Sequence, residues 1–285
     1  MRGQKAIFVA ALVGLVASRT AHAAPVYDDT FFLANAYSDG TSGAYTVADE
    51  NNAAQSRWTS GSGILTYSRA NTSRDPAYNY ESSVILTSGS TPDTGCTAGL
   101  THFTVASTIY DIPSVNTAQP GLIIGASLGS GPVTGGYLLE VDNGQNKGPG
   151  GPFALVAETS SELLGDEGNG EVVQNFGIPV TGHDYNISAT VDRSATNPAF
   201  TVVIQDLTSN STFYSGTFID PENTSDFGGT QIGFRVRDPL DSEMPSFGPL
   251  SLSVPEPGPR DLVLLATATL ILRRRARNVS VPASG

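Results

Sequence analysis

The chain has 285 residues, including 31 glycines and 18 prolines, and sets 15 basic against 27 acidic side chains for a net charge of −12. Eight of the basic and two of the acidic residues lie in the terminal segments, so the body between them holds seven basic against 25 acidic, a formal −18. Such a body repels phosphate backbones and excludes nucleic acid as a partner. The single cysteine, Cys96, excludes a disulfide framework.

Arg2 and Lys5 precede an apolar stretch over residues 6–17, and Ala21-His22-Ala23 follows. A basic start, a short apolar region and a small-residue site predict a secretory signal helix over 1–23, cleaved between Ala23 and Ala24. Export accords with the lone cysteine. Without disulfides the body must rest on its hydrophobic core, and at about 230 residues it is long enough to build one.

From residue 24 onward the pattern is strand and turn. Strands are predicted over 63–68, 83–87, 122–128, 137–142, 153–158, 212–219 and 247–253. Others show strict alternation. Phe103, Val105 and Ile109 interleave with His102, Thr104 and Thr108, and Tyr185, Ile187, Ala189 and Val191 with Asn186, Ser188, Thr190 and Asp192. Phe200, Val202 and Ile204 repeat the pattern, as do Ile232, Phe234 and Val236 between Gln231, Gly233, Arg235 and Arg237. Period two with β-branched and aromatic enrichment predicts one buried and one wet face. Asn143-Gly144, Asn169-Gly170, Asp238-Pro239 and the Gly-Pro run at 148–152 mark turns. Only 158–167 offers a short helical pattern in the body, and Gly165 interrupts it. With no internal repeat and no linker, about a dozen strands predict one all-β domain over 24–253, an antiparallel two-sheet sandwich.

Few residues carry chemistry. Glu140 and Asp142 share a strand face by period two, but Asn143-Gly144 reads as a turn, and a retaining glycosidase needs two carboxylates about 5 Å apart. Asp142 and Asn143 better suit calcium or sugar hydroxyls. Gly125-Ala126-Ser127-Leu128-Gly129 matches the serine-hydrolase pattern, yet the Gly- and Pro-rich 130–136 that follows cannot start the helix this pattern needs. Asp93-Thr94-Gly95 occurs once, where aspartic proteases need two carboxylates. His102 and His183 lack the partners of a zinc site or a triad. Trp58, Tyr78 and Tyr80 are stacking aromatics for a pyranose, or core. The ligand-binding candidates are therefore Trp58, Tyr137, Glu140, Asp142 and Asn143. No catalytic set is complete, no cofactor is implied, and calcium is the one metal that the acidic surface suits.

The tail has its own order. Pro255-Glu256-Pro257 is followed by an apolar run over 262–272, then by Arg273, Arg274, Arg275 and Arg277. Proline stops any helix from the body, the apolar run favours lipid, and the arginines favour the cytoplasmic side. At 11 residues, about 16 Å as a helix, the run is short of the ~20 residues of a membrane span. It reads as a transient handle in a membrane rather than a permanent anchor.

That order resembles the PEP-CTERM sorting signal of Gram-negative bacteria that make exopolysaccharide. The resemblance implies processing of residues 254–277 by an exosortase, with 278–285 as a tail, and delivery to the cell surface or extracellular matrix. A second resemblance, diffuse and spread over most of 28–254, rests on Asp29-Thr30-Phe31, Arg57-Trp58, Gly121 to Ala126, Gly136 to Val141, Tyr185 to Val191, Gly233 to Arg237 and Ser246 to Leu252. These segments resemble the concanavalin A-like jelly roll of laminin-G modules, legume lectins and laminarinase-type hydrolases. This implies a curved sandwich whose concave sheet often binds carbohydrate. Laminarinase-type enzymes carry E-x-D-x-x-E or E-x-D-x-E on one strand, and Gln145 stands where a third carboxylate would be. The expectation is a non-enzymatic polysaccharide-binding surface protein. A divergent hydrolase using Glu140 and Asp142, or a purely structural surface protein, are the alternatives.

Overall fold

Alternating burial builds the structure, a computed structural model that describes residues 24–29, 35–37, 40–42, 45–49, 56–69, 81–86, 97–112, 119–128, 133–141, 153–163, 171–221, 229–237 and 245–254. The strands are β1 (Ala24–Asp29), β2 (Asn35–Tyr37), β3 (Gly40–Ser42), β4 (Tyr45–Asp49), β5 (Ser56–Gly61) and β6 (Ile64–Arg69). Next come β7 (Glu81–Leu86), β8 (His102–Tyr110), β9 (Gln119–Leu128), β10 (Val133–Val141), β11 (Phe153–Leu163) and β12 (Glu171–Gly177). The series ends with β13 (Tyr185–Asp192), β14 (Ala199–Asp206), β15 (Ser211–Ile219), β16 (Gln231–Arg237), β17 (Ser246–Phe247) and β18 (Leu250–Val254). In β13 every second residue from Tyr185 is buried and its neighbours are half-exposed, the period-two pattern of a sheet with one wet face.

The strands form two antiparallel sheets. The larger runs β15-β14-β13-β8-β17-β6-β5-β2, with β18 bridging β8 and β1, and the smaller runs β12-β11-β10-β9-β16-β7-β4-β3. Their inner faces make one core. Tyr137 of β10 packs on Phe200 of β14 at 4.7 Å between ring centroids, Phe153 of β11 on Tyr185 of β13 at 5.2 Å, and Phe234 of β16 on Phe247 of β17 at 4.5 Å. Each of these pairs joins the two sheets, and aromatic contacts of this kind add about 1 kcal/mol beyond burial.

Three expectations change. Residues 158–163, with their short helical pattern, continue β11 as strand: Glu158 pairs with Gly136 and Leu163 with Thr134 of β10, with a register irregularity between the two pairs. The apolar stretch near the end of the sandwich is two strands, β17 and β18, with Gly248 between them donating to the Thr108 carbonyl. The third concerns the smaller sheet, whose middle strands lack the wet face that alternation implied. Ile123, Leu138, Arg235 and Ala154 are fully buried although they lie opposite the core-facing Leu122, Leu139, Phe234 and Leu155. Small residues, the Glu140–Arg235 ion pair and aliphatic side chains occupy that outer face.

The described residues contain no helix long and apolar enough to cross a membrane. The signal helix, the Pro-Glu-Pro segment and the apolar run over 262–272 lie outside them.

Candidate functional site

Glu140 is where sequence and structure meet most closely. The pairing runs Ala154↔Glu140↔Gly121↔Arg235↔Ser83 across β11, β10, β9, β16 and β7. Glu140 and Arg235 are therefore two strands apart, roughly 9.6 Å at the usual strand spacing, and their side chains must bridge β9. Gly121 leaves the gap. A Cβ there would stand 2.8 Å from the Glu140 Cβ and 2.8 Å from Leu138 Cδ1, closer than real side chains approach. Through this gap the Arg235 Nη1 donates to Glu140 Oε2 at 3.4 Å, with the arginine side chain fully buried and the glutamate 6% exposed. A carboxylate held against a buried guanidinium neutralises a charge. It is not poised as the nucleophile or acid of a hydrolase.

The other candidates separate. Tyr137 points to the opposite face, into the core, where its hydroxyl donates to Asp220 Oδ2 at 2.6 Å. Trp58 is also fully buried, edge-on to Tyr67 at 5.1 Å and tilted against Phe247 at 6.0 Å. Neither ring offers a face to a sugar; both are core, because each large apolar surface finds aromatic partners between the sheets. Asp142, Asn143, Tyr78, Tyr80, Cys96 and Asp93 lie outside the described residues, as do Ala23, Pro255, Glu256, Pro257 and Arg273 to Arg275. Ser127 of the serine-hydrolase pattern pairs with Thr134 between β9 and β10, and the next described element is the strand β10.

Two polar networks had no sequence signal. At one end of the sandwich, His183 Nδ1 and Asp206 Oδ2 sit 2.8 Å apart, and the Ser209 amide donates to Asp206 Oδ1 at 2.9 Å. Burial alone pushes the Asp206 carboxyl up, but Ser209 and His183 more than offset it and hold it at about 2. Burial and the Asp206 charge raise the Tyr185 phenol, against the Val180 amide that donates to it at 2.8 Å. These bonds tie the loop before β13 to the β14–β15 turn; the pairing Tyr185↔Asp206 brings together His183 and Asp206, 23 apart in sequence. Elsewhere Arg193 donates to the carbonyls of Leu100 and Thr97, each at 2.7 Å, and lies over the Phe103 ring. Burial lowers its guanidinium below the ordinary arginine value. It clasps the loop before β8 beside an open cleft that Thr101, Thr196 and Gly229 help to line. No group of three potential metal ligands occurs among the described residues.

Among the described residues, the outer face of the larger sheet is partly exposed. Pairing aligns Thr217↔Thr201↔Thr190↔Thr104↔Ser253 across β15, β14, β13, β8 and β18. The next row is Ser215↔Val203↔Ser188↔Ala106↔Ser251, and a third holds Thr212, Gln205, Asn186 and Thr108. None of these side chains is charged. Thr104 and Thr190 hydroxyls meet at 2.8 Å, and Thr201 and Thr217 hydroxyls at 2.9 Å. Columns are spaced by about 4.8 Å and rows by about 7 Å from strand geometry, so the face is a lattice of neutral hydroxyl, amide and small apolar groups. At one border of these rows His102 and Asp192 sit 3.6 Å apart. The side chain and amide of Ser194 lower the Asp192 carboxyl, with His102 assisting.

No protein-family model matches the sequence, and no curated protein does. Solved structures with a similar fold include the metal-free carbohydrate recognition domain of Emp46p, at 12% identity and a TM-score of 0.40, covering 74% of this chain and 88% of that one. Lectin II from Ulex europaeus is similar at 8% identity and a TM-score of 0.47, covering 80% and 97%. The CBM2 module of the evolved Dit of Lactobacillus casei BL23 phage J-1 gives 11% identity and a TM-score of 0.48, covering 82% and 96%. At this distance no residue of theirs is carried over, and the site stands on its own geometry.

Proposed function

We propose that this is an exported, non-enzymatic surface protein that binds polysaccharide. The observation that carries binding is the uncharged hydroxyl and amide lattice on the outer face of the larger sheet, set in an otherwise acidic body. Serine and threonine hydroxyls both donate and accept, which matches the hydroxyls of a neutral glycan, and the absence of charge avoids desolvating ions on contact. The tie between Glu140 and Arg235 speaks against the hydrolase alternative.

Delivery belongs to the same proposal. The order Pro255-Glu256-Pro257, apolar 262–272 and Arg273, Arg274, Arg275 supports sorting through a PEP-CTERM signal and an exosortase-type enzyme, by way of the inner membrane. The concanavalin A-like resemblance fits the two-sheet architecture.

Pull-down of the full chain on insoluble neutral and acidic polysaccharides tests binding. Neutral glycans should retain the protein, and Thr190→Lys with Thr201→Lys should release it by intruding bulk and charge on the face. A wild-type chain that binds no glycan leaves the purely structural alternative standing. Pulse-chase tests sorting: a full-length form that persists long after export, with no shorter product, would count against processing.

A further inference from the structure

Beyond Thr108, the outer face of the larger sheet carries one more row. Tyr110 ends β8, half-exposed beside the buried Ile109. It pairs with Ser246 of β17, Ser246 with Thr66 of β6, and Thr66 with Thr59 of β5. On its other side the ladder runs one residue past the start of β13. Tyr185 pairs with both Ile109 and Asp206, and the Leu207 amide donates to the Asp184 carbonyl at 2.8 Å, which brings Asp184 beside Tyr110. The row therefore reads Leu207, Asp184, Tyr110, Ser246, Thr66 and Thr59.

A glycine lets the Tyr110 ring lie down. Position 248 faces outward, since Phe247 before it is core, and a Cβ there would stand 3.1 Å from the Tyr110 hydroxyl and 2.9 Å from Thr108 Cβ. The hydroxyl thus sits at the height of a Cβ, close to the backbone. A tyrosine whose far end lies so low is folded along the sheet and turns one ring face outward, whereas an upright ring would carry its hydroxyl into solvent. The groups on either side are held in place. Asp184 Oδ1 accepts the Asp111 amide at 2.9 Å, and the Asp184 amide donates to Thr208 Oγ1 at 2.9 Å. The Thr66 and Ser246 hydroxyls meet at 3.2 Å.

We propose that Tyr110 is a sugar-stacking subsite, which takes one pyranose unit of a neutral polysaccharide between Asp184 and Ser246. The inference deepens the polysaccharide reading and rests on it. Asp184 and Ser246 flank β8 on its two neighbouring strands, roughly 9.6 Å apart at the usual strand spacing, which leaves room for one sugar ring. A pyranose lays its apolar C–H face on the π face of the tyrosine and keeps its hydroxyls at the rim. Asp184 Oδ2 is the remaining acceptor for them, and a hydrogen bond to a carboxylate is about twice as strong as a neutral one. On the far side the Ser246 and Thr66 hydroxyls both donate and accept. A cation would also suit a ring beside a carboxylate, but the run of hydroxyls from Ser246 to Thr59 favours a polyol.

The test is affinity electrophoresis of the full-length protein in native gels that contain a soluble β-glucan, mannan or galactan. At least one of these should retard wild type. Tyr110→Ala should weaken retention roughly tenfold, and Tyr110→Phe, which keeps the ring, should leave it within about twofold. Asp184→Asn should weaken it roughly fivefold, with circular dichroism confirming that each variant folds. Saturation of aromatic protons should pass to the sugar C–H protons in wild type and Tyr110→Phe and be lost in Tyr110→Ala, a signature that a structural role would not produce. Tyr110→Ala retained as tightly as wild type, or transfer that survives in it, overturns the subsite and leaves polysaccharide binding in place. Retention that falls steeply with salt marks a cation as the guest and overturns it too. A wild type retarded by none of the three glycans overturns both readings.

Discussion

Replacing Arg235 by methionine tests whether the Glu140 pair is structural. At an effective dielectric constant of about 20, charges 3.4 Å apart attract by about 5 kcal/mol, and desolvation of both ions takes back much of that gain. The single change leaves Glu140 ionised at 6% exposure without its guanidinium, a situation that costs about 3–5 kcal/mol. For a domain of this size each kcal/mol moves the melting temperature by about 2–4 °C, so R235M should melt about 10 °C lower. The double variant E140M/R235M should recover most of the loss, since apolar pairs of similar volume often match or exceed a buried ion pair. Thermal and denaturant unfolding of the four proteins in the cycle measures both quantities. Two results would refute the reasoning: a loss under about 1 kcal/mol for R235M, or a double variant as unstable as the single one. Polysaccharide hydrolysis abolished by E140Q in a folded protein would instead restore the catalytic reading.

Two further outcomes follow from the buried polar networks. Tyr137→Phe removes the 2.6 Å donor to Asp220 and should cost about 1.5–3 kcal/mol in denaturant unfolding, the range for a hydrogen bond to a charged group; a loss near zero would mean that the bond is not formed. Asp206 sits at about 2 when folded, below the ~3.9 of an unfolded aspartate. Its contribution is therefore complete above about pH 4 and is lost as pH falls towards 2. The melting temperature of D206N should be lower at neutral pH and fall less steeply through that window. Parallel acid limbs for the two proteins would sink the assignment.

Much of the fold was legible because period two survives wherever one face is wet. The β13 and β14 strands show it without exception, and their alternation placed the inner residues correctly. It failed on β16 for a definite reason. Arg235 looked solvent-facing by charge, but its burial depends on Glu140, two strands away, and on the absence of a side chain at Gly121. No local pattern encodes a three-strand coincidence. Trp58 and Tyr137 share the ambiguity of all large aromatics, whose composition suits a sugar platform and a core equally. The His183–Asp206 contact needed the β13–β14 register, which only the pairing supplies.

The two outer faces differ in what a ligand would meet. The middle strands of the smaller sheet are buried on their outer face, and Glu140, the acidic candidate among the described residues, is tied to an arginine. A ligand would have to displace buried aliphatic residues and part an ion pair, at a cost larger than most single sugar contacts return. The larger sheet imposes no such cost, since its Thr and Ser rows are partly exposed and neutral. The lysine variants at Thr190 and Thr201 thus separate two mechanisms as well as two sites. If they leave glycan retention intact, recognition must come from residues outside these rows, and the hydroxyl lattice is then only a solvated face of high strand propensity.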